Sequence, residues 1–76
     1  MSLYQLDARR LLCPMPVIRT QEKIKTLQTG DRLEVIGTDP GVMHDIPAWC
    51  RVNGHACIDS QEIDGEYRLL LEVGDS

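Results

Sequence analysis

Two prolines, Pro14 and Pro40, stand where a helix takes its first residue, and the segments they open are closed by Gly30 and Gly54. A proline at the first helical position gives up no hydrogen bond, and a glycine just past the end accepts the left-handed backbone of a cap. This punctuation confines helix to two segments and leaves the stretches between them as strands. In the first segment Val17, Ile18, Ile24 and Leu27 recur at helical spacing with Arg19, Glu22, Lys23 and Lys25 outside. That pattern predicts an amphipathic helix of roughly 14 residues. In the second, Asp39 caps the start but Pro47 interrupts, and Asp45 can cap a new start two residues before it. We expect a loose first turn and then a helix proper from about residue 45 to 53, with Ile46, Trp49, Cys50 and Val52 on its inner stripe.

Leu3 to Leu6 reads as a short edge strand, and residues 32–37 alternate, with Leu33 and Val35 on one face. Residues 55–63 and 66–73 form two more strands joined at Asp64-Gly65, a pair favoured in two-residue hairpins. The order is β-α-β-α-β-β. It predicts an α+β two-layer sandwich in which residues 1–76 form one domain, with two helices on one face of a four-stranded mixed sheet. The other face is left open, and Ile36 and Leu70 on it offer a place for a partner. Only Tyr4, Trp49 and Tyr67 are aromatic, so the core is built from Leu, Ile and Val.

The net charge of −4 argues against a nucleic-acid footprint, and the scarcity of aromatics argues against base-stacking platforms. The charge is polarised along the chain. Residues 1–32 hold six basic side chains (Arg9, Arg10, Arg19, Lys23, Lys25, Arg32) against three acidic, a net of +3. Residues 33–76 hold two against nine, a net of −7. No apolar run approaches the length that spans a bilayer, and the N-terminus lacks the order of a signal peptide, so no membrane association and a cytoplasmic location are expected. In that compartment three cysteines spaced 37 and 7 residues apart suggest neither a disulfide framework nor a zinc cage, and no metal site is expected from His44, Cys50, His55 and Cys57.

Cys13 precedes Pro14-Met15-Pro16 directly. With Pro14 as the first helical residue, Cys13 becomes the N-cap and its sulfur sits at the positive end of the helix dipole. Pro14 and Pro16 carry no amide hydrogen, so Met15 and Val17 are left as the donors that face the sulfur. Arg9 and Arg10 add positive potential from upstream. Such surroundings lower a thiol pKa and make a nucleophile. The alternative is that Cys13 is a small apolar side chain tolerated at a cap. Cysteine is not a favoured N-cap residue, which weighs toward use. Neither histidine is placed beside it by the sequence, and so short a chain has little room for a hydrolase cleft. An exposed reactive sulfur without a pocket fits a carrier. Cys50, beside Trp49, and Cys57, within a strand, read as packing residues.

The run LDARRLLCPMPVI, followed by GDRLEVIGTDPGVMHDIPAWCRVNGH, resembles the TusA family of sulfur carriers, also called SirA-like, over nearly the whole chain. The Leu-Asp-x-x-x-Leu-x-Cys-Pro-x-Pro run is specific to that family, and Asp39-Pro40, Asp45-Ile46-Pro47 and Gly54-His55 follow in the expected order. The resemblance implies the same β-α-β-α-β-β fold. It also implies that Cys13 accepts sulfane sulfur from a cysteine desulfurase or a rhodanese-like donor, holds it as a persulfide with no other cofactor, and passes it to an acceptor protein of a sulfur relay. Such a chain is a sulfurtransferase-type carrier rather than a small-molecule enzyme. Its sulfur would serve tRNA thiolation, molybdenum-cofactor supply or dissimilatory sulfur oxidation. Arg10 stands where the family usually has glycine, and arginine resists the backbone angles glycine allows, so a different loop path to Cys13 is expected. Arg9, Arg10, Arg19 and Lys23 are the residues expected to steer an acidic partner. The second reading is a non-catalytic regulatory or interaction module that uses the basic first helix or the open sheet face.

Overall fold

The structure, a computed structural model, describes residues 2–74. The elements follow the order β1 (Leu3–Ala8), α1 (Met15–Ile24), β2 (Arg32–Gly37), α2 (Val42–Val52), β3 (Ala56–Ile63) and β4 (Glu66–Glu72). The strands lie in the order β1-β2-β4-β3, with β1 parallel to β2 and β4 antiparallel to both of its neighbours. Both helices pack on one face, α1 over β1 and β2 and α2 over β3 and β4. The two-layer sandwich expected from the punctuation is the fold observed. Strand β2 alternates as predicted, with Leu33 and Val35 fully buried beside Leu69 and Leu71 of β4, and Val42, Ile46 and Cys50 of α2 close the core from above. At the hairpin Asp64 and Gly65 have φ of 51° and 79°, the two left-handed residues that match the twist of paired strands.

Helix α1 is shorter than its 14-residue expectation and ends at Ile24. The Thr26 hydroxyl donates to the Lys23 carbonyl at 2.7 Å, and the amides of Thr26 and Leu27 reach back only three residues, to Lys23 and Ile24. These tighter bonds end the α-helical ladder. Its buried stripe is Pro16, Thr20 and Ile24, while Ile18 faces solvent. Apolarity alone misplaces that stripe, because Thr20 is buried with its hydroxyl satisfied by the Pro16 carbonyl at 2.8 Å. In α2 the expectation of a late start is also corrected. The helix is regular from Val42, with Pro47 inside it, because the amides of Val42 and Met43 close onto the carbonyls of Asp39 and Pro40 and begin the coil early. Val52, expected inside, lies about 200° around the helix from Cys50 and is exposed.

The β1–β2 end of the sheet is tied by Asp31, whose carboxylate accepts the Ser2 amide at 3.2 Å and the Gln28 amide at 2.9 Å. Asp31→Ala leaves two amides without their acceptor and is expected to cost about 1–3 kcal/mol. Urea unfolding checks this as a lower midpoint at unchanged slope, and a midpoint equal to wild type would exclude it.

The open sheet face is not an apolar platform. Ile36 and Leu70 are half-buried among Arg32–Glu72, Arg68–Glu34 and Arg68–Glu66 ion pairs at 3.8, 3.9 and 3.6 Å. Strands β1 and β3 are the two edges, and Asp59, Ser60, Gln61 and Glu62 keep the β3 edge polar.

Candidate functional site

Because β1 and β2 are parallel neighbours, the loops that follow them leave the sheet at the same end. The β1–α1 loop carries Cys13, and the β2–α2 loop brings Asp39 and Gly41 against it. The path of the first loop is set at Arg10, which takes a φ of 68° and donates its amide to the Thr38 hydroxyl at 2.9 Å. The arginine thus adopts the left-handed backbone that suits glycine. The cost of a left-handed side-chain-bearing residue, about 1–2 kcal/mol, is offset in part by the Thr38 hydrogen bond.

Cys13 is exposed, and its sulfur lies against α2 rather than over the end of α1. The N-cap of α1 is Pro14, and the donors expected to face the sulfur are consumed by the turn itself: Met15 donates to the Leu12 carbonyl at 2.9 Å and Val17 to that of Pro14 at 3.1 Å. The Cys13 amide donates to Asp39 Oδ2 at 3.0 Å, and the thiol donates to Asp45 Oδ2 at 3.1 Å. Asp45, expected to cap a second helix start, serves the sulfur instead. Asp39, expected to cap the second helix, does not: the N-cap of α2 is Gly41, and Asp39 Oδ1 accepts the Gly41 amide at 3.2 Å within the loop that precedes it.

Electrostatics at the sulfur are the reverse of those expected. The hydrogen bond to Asp45, then desolvation and the Asp39 carboxylate, push the Cys13 thiol up to about 12. Two carboxylates oppose a second negative charge between them. Asp39 is held below the usual carboxylate range by the amides of Cys13 and Gly41. Cys13 therefore stays a thiol at neutral pH.

The supporting turn has Pro16 buried and Val17 half-buried against the core, while Leu12, Met15 and Ile18 are exposed at 74%, 37% and 40%. The sulfur is thus presented on an open, partly apolar surface. Of the four expected partner-binding residues, Arg9 is held by Asp7 at 2.9 Å and Glu66 at 3.3 Å, and the Lys23 ammonium sits 5.4 Å from the Tyr4 ring centroid. Arg10 and Arg19 are exposed. His55 is distant from this end: its Nδ1 accepts the Gly74 amide at 3.0 Å and its ring stacks on Trp49 at 5.3 Å. A concavity of about 630 Å³ lies there too, lined by Ile24, Trp49 and His55 among others, and Cys13 is not part of it. Cys50 is buried and Cys57 half-buried, as packing residues should be. Among the described residues no His, Cys, Asp and Glu cluster able to hold a metal ion is present, and no helix is long and apolar enough to cross a membrane.

The family model for the sulfurtransferase TusA matches residues 4–73. The chain belongs to the TusA family. The sulfur carrier protein TusA of Allochromatium vinosum is 34% identical over 68 residues, covering 90% of each chain. That of Pseudomonas aeruginosa is 44% identical over 62 residues, covering 82% of this chain and 78% of the relative. A crystal structure of a SirA-like protein from Desulfitobacterium hafniense superposes with a TM-score of 0.83 at 22% identity, over 95% of this chain and 99% of that one, and shares the fold. TusA membership supports a sulfur carrier role, and the site described above is where this member of the family exposes a thiol.

Proposed function

We propose that this chain carries sulfane sulfur as a persulfide on Cys13, accepting it from a cysteine desulfurase or a rhodanese-like protein and delivering it to an acceptor thiol of a sulfur relay in the cytoplasm, such as one that ends in tRNA thiolation. The observation that carries this reading is an exposed thiol on a stiff Pro-flanked turn, outside any enclosed cleft, in a TusA-family chain whose other cysteines are buried or half-buried. Transfer is redox-neutral. Cys13 sulfur attacks the outer sulfur of the donor persulfide, the donor S–S bond breaks, a Cys13 S–S bond forms, and the Cys13 proton ends on the donor thiolate. Delivery is the same exchange with Cys13 as the leaving thiol. Exposure of Leu12, Met15 and Ile18 suits contact with a partner surface, since no pocket is needed when both reactants are protein side chains.

Incubation with a desulfurase and cysteine is expected to add about 32 mass units per sulfur, removed by reductant and located on the peptide that contains Cys13. Sulfur found instead on Cys50 or Cys57, or not at all with a competent donor, would refute the assignment.

A further inference from the structure

We propose that Asp45 is a positioning residue for sulfur transfer: it holds the Cys13 sulfur only in the empty carrier, and loading itself breaks that contact and turns the outer sulfur away from α2. This rests on the persulfide reading above. The empty state is the one described, with Sγ donating its hydrogen to Asp45 Oδ2 at 3.1 Å. Once Sγ is bonded to a second sulfur it carries no hydrogen, so the bond to Asp45 has no donor. Two electron-rich atoms are then left at hydrogen-bond distance with nothing between them, and the pair must separate.

The direction of the release follows from what surrounds the sulfur. Asp45 from α2 and Asp39 from the β2–α2 loop are the charged groups that act on it. A Cβ placed on Gly41 would stand 3.0 Å from Sγ and 3.5 Å from Asp45 Oδ2, so a side chain there would crowd the thiol where it lies against this helix start. The outer sulfur lies one S–S bond, about 2.05 Å, beyond Sγ. An anionic outer sulfur is repelled by both carboxylates and moves toward the exposed side of the turn, where Leu12 and Met15 stand. The carrier thus distinguishes its two states without a change of fold. Empty, its thiol is held against Asp45 and is slow to react. Loaded, its transferable sulfur points out to an acceptor.

The test uses the full chain and a neutral alkylating agent, iodoacetamide, on both states. For the empty protein, each tenfold gain in thiolate fraction is offset about threefold by the weaker nucleophile, for a net gain of about threefold. Asp45→Asn is therefore expected to react at least about threefold faster than wild type near pH 8, with the midpoint of its pH–rate profile moved down, and Asp45→Glu to restore slow reaction. For the loaded protein, wild type and Asp45→Asn are expected to react at the same rate within about twofold, because the outer sulfur no longer faces residue 45. Superimposable profiles for the empty proteins overturn the proposal, as does an equal acceleration of the loaded ones. Titration of the wild-type thiolate by its ultraviolet absorbance requires no variant, and an ordinary thiol midpoint there also overturns it. The empty-protein results do not depend on a donor recognising the chain, so they fail separately from the carrier assignment, which is read by mass.

Discussion

Cys13→Ser is expected to abolish sulfur loading, while Cys57→Ser and Cys50→Ala keep it. Serine preserves the size of the side chain and can donate its hydroxyl hydrogen to Asp45 as the thiol does at 3.1 Å, so the turn and the helix it precedes should persist. What serine lacks is a nucleophile able to attack a persulfide at neutral pH, because its hydroxyl ionises far less readily than a thiol. The other two cysteines cannot substitute for it. Cys50 is 1% exposed within the core and Cys57 lies half-buried at the edge strand, where its thiol points to the Asp59 carbonyl at 3.6 Å. Intact mass after incubation with a desulfurase and cysteine measures the outcome. Loading of Cys13→Ser at the wild-type level would remove Cys13 from the reaction.

Most of the fold was legible because local chemistry and tertiary need agree. Pro14 and Pro40 opened helices, Asp64-Gly65 made the hairpin, and alternation in 32–37 placed Leu33 and Val35 in the core. The misread positions are those where a polar group is satisfied by its own backbone or an angle outweighs composition. Thr20 is buried because Pro16 accepts its hydroxyl, and Val52 is exposed because of its place around the helix.

The site was legible to one residue and no further. Cys13 is marked by its prolines, but the groups that set its chemistry are 26 and 32 positions along the chain. Both aspartates read as helix caps, yet α2 is capped at Gly41 without a side-chain bond, and the Asp39 carboxylate braces the loop by accepting the Gly41 and Cys13 amides. The signal available was topological: two loops that follow adjacent parallel strands meet at one sheet end, which makes the acidic residues of the second loop candidates for the sulfur of the first. Local charge misled for the same reason. Arg9 lies four residues from Cys13, yet it is bound by Asp7 and Glu66, whereas the carboxylates of a segment with net negative charge are the ones that reach the thiol.

Those same thiols set an alkaline limit on the fold. Burial pushes the Cys50 thiol up to about 11 from the ordinary value near 9, and Cys57 is raised by burial as well. A raised thiol pKa means that the unfolded chain loses its proton first. The stabilisation is therefore fully present below pH 9 and is lost as pH rises from there to 11. For Cys50 alone this amounts to about 2–3 kcal/mol, a large share of the roughly 4–11 kcal/mol that a chain of this length has in total. Cys13 acts in the same direction up to about 12, with a weaker contribution because solvent screens an exposed group. Urea unfolding at pH 8 and near pH 11 is expected to show a steep loss of stability in the wild type. In Cys50→Ala, which costs packing at both pH values equally, the loss should be smaller by about 2–3 kcal/mol. Equal losses in the two proteins would mean that the buried thiol does not carry the alkaline transition.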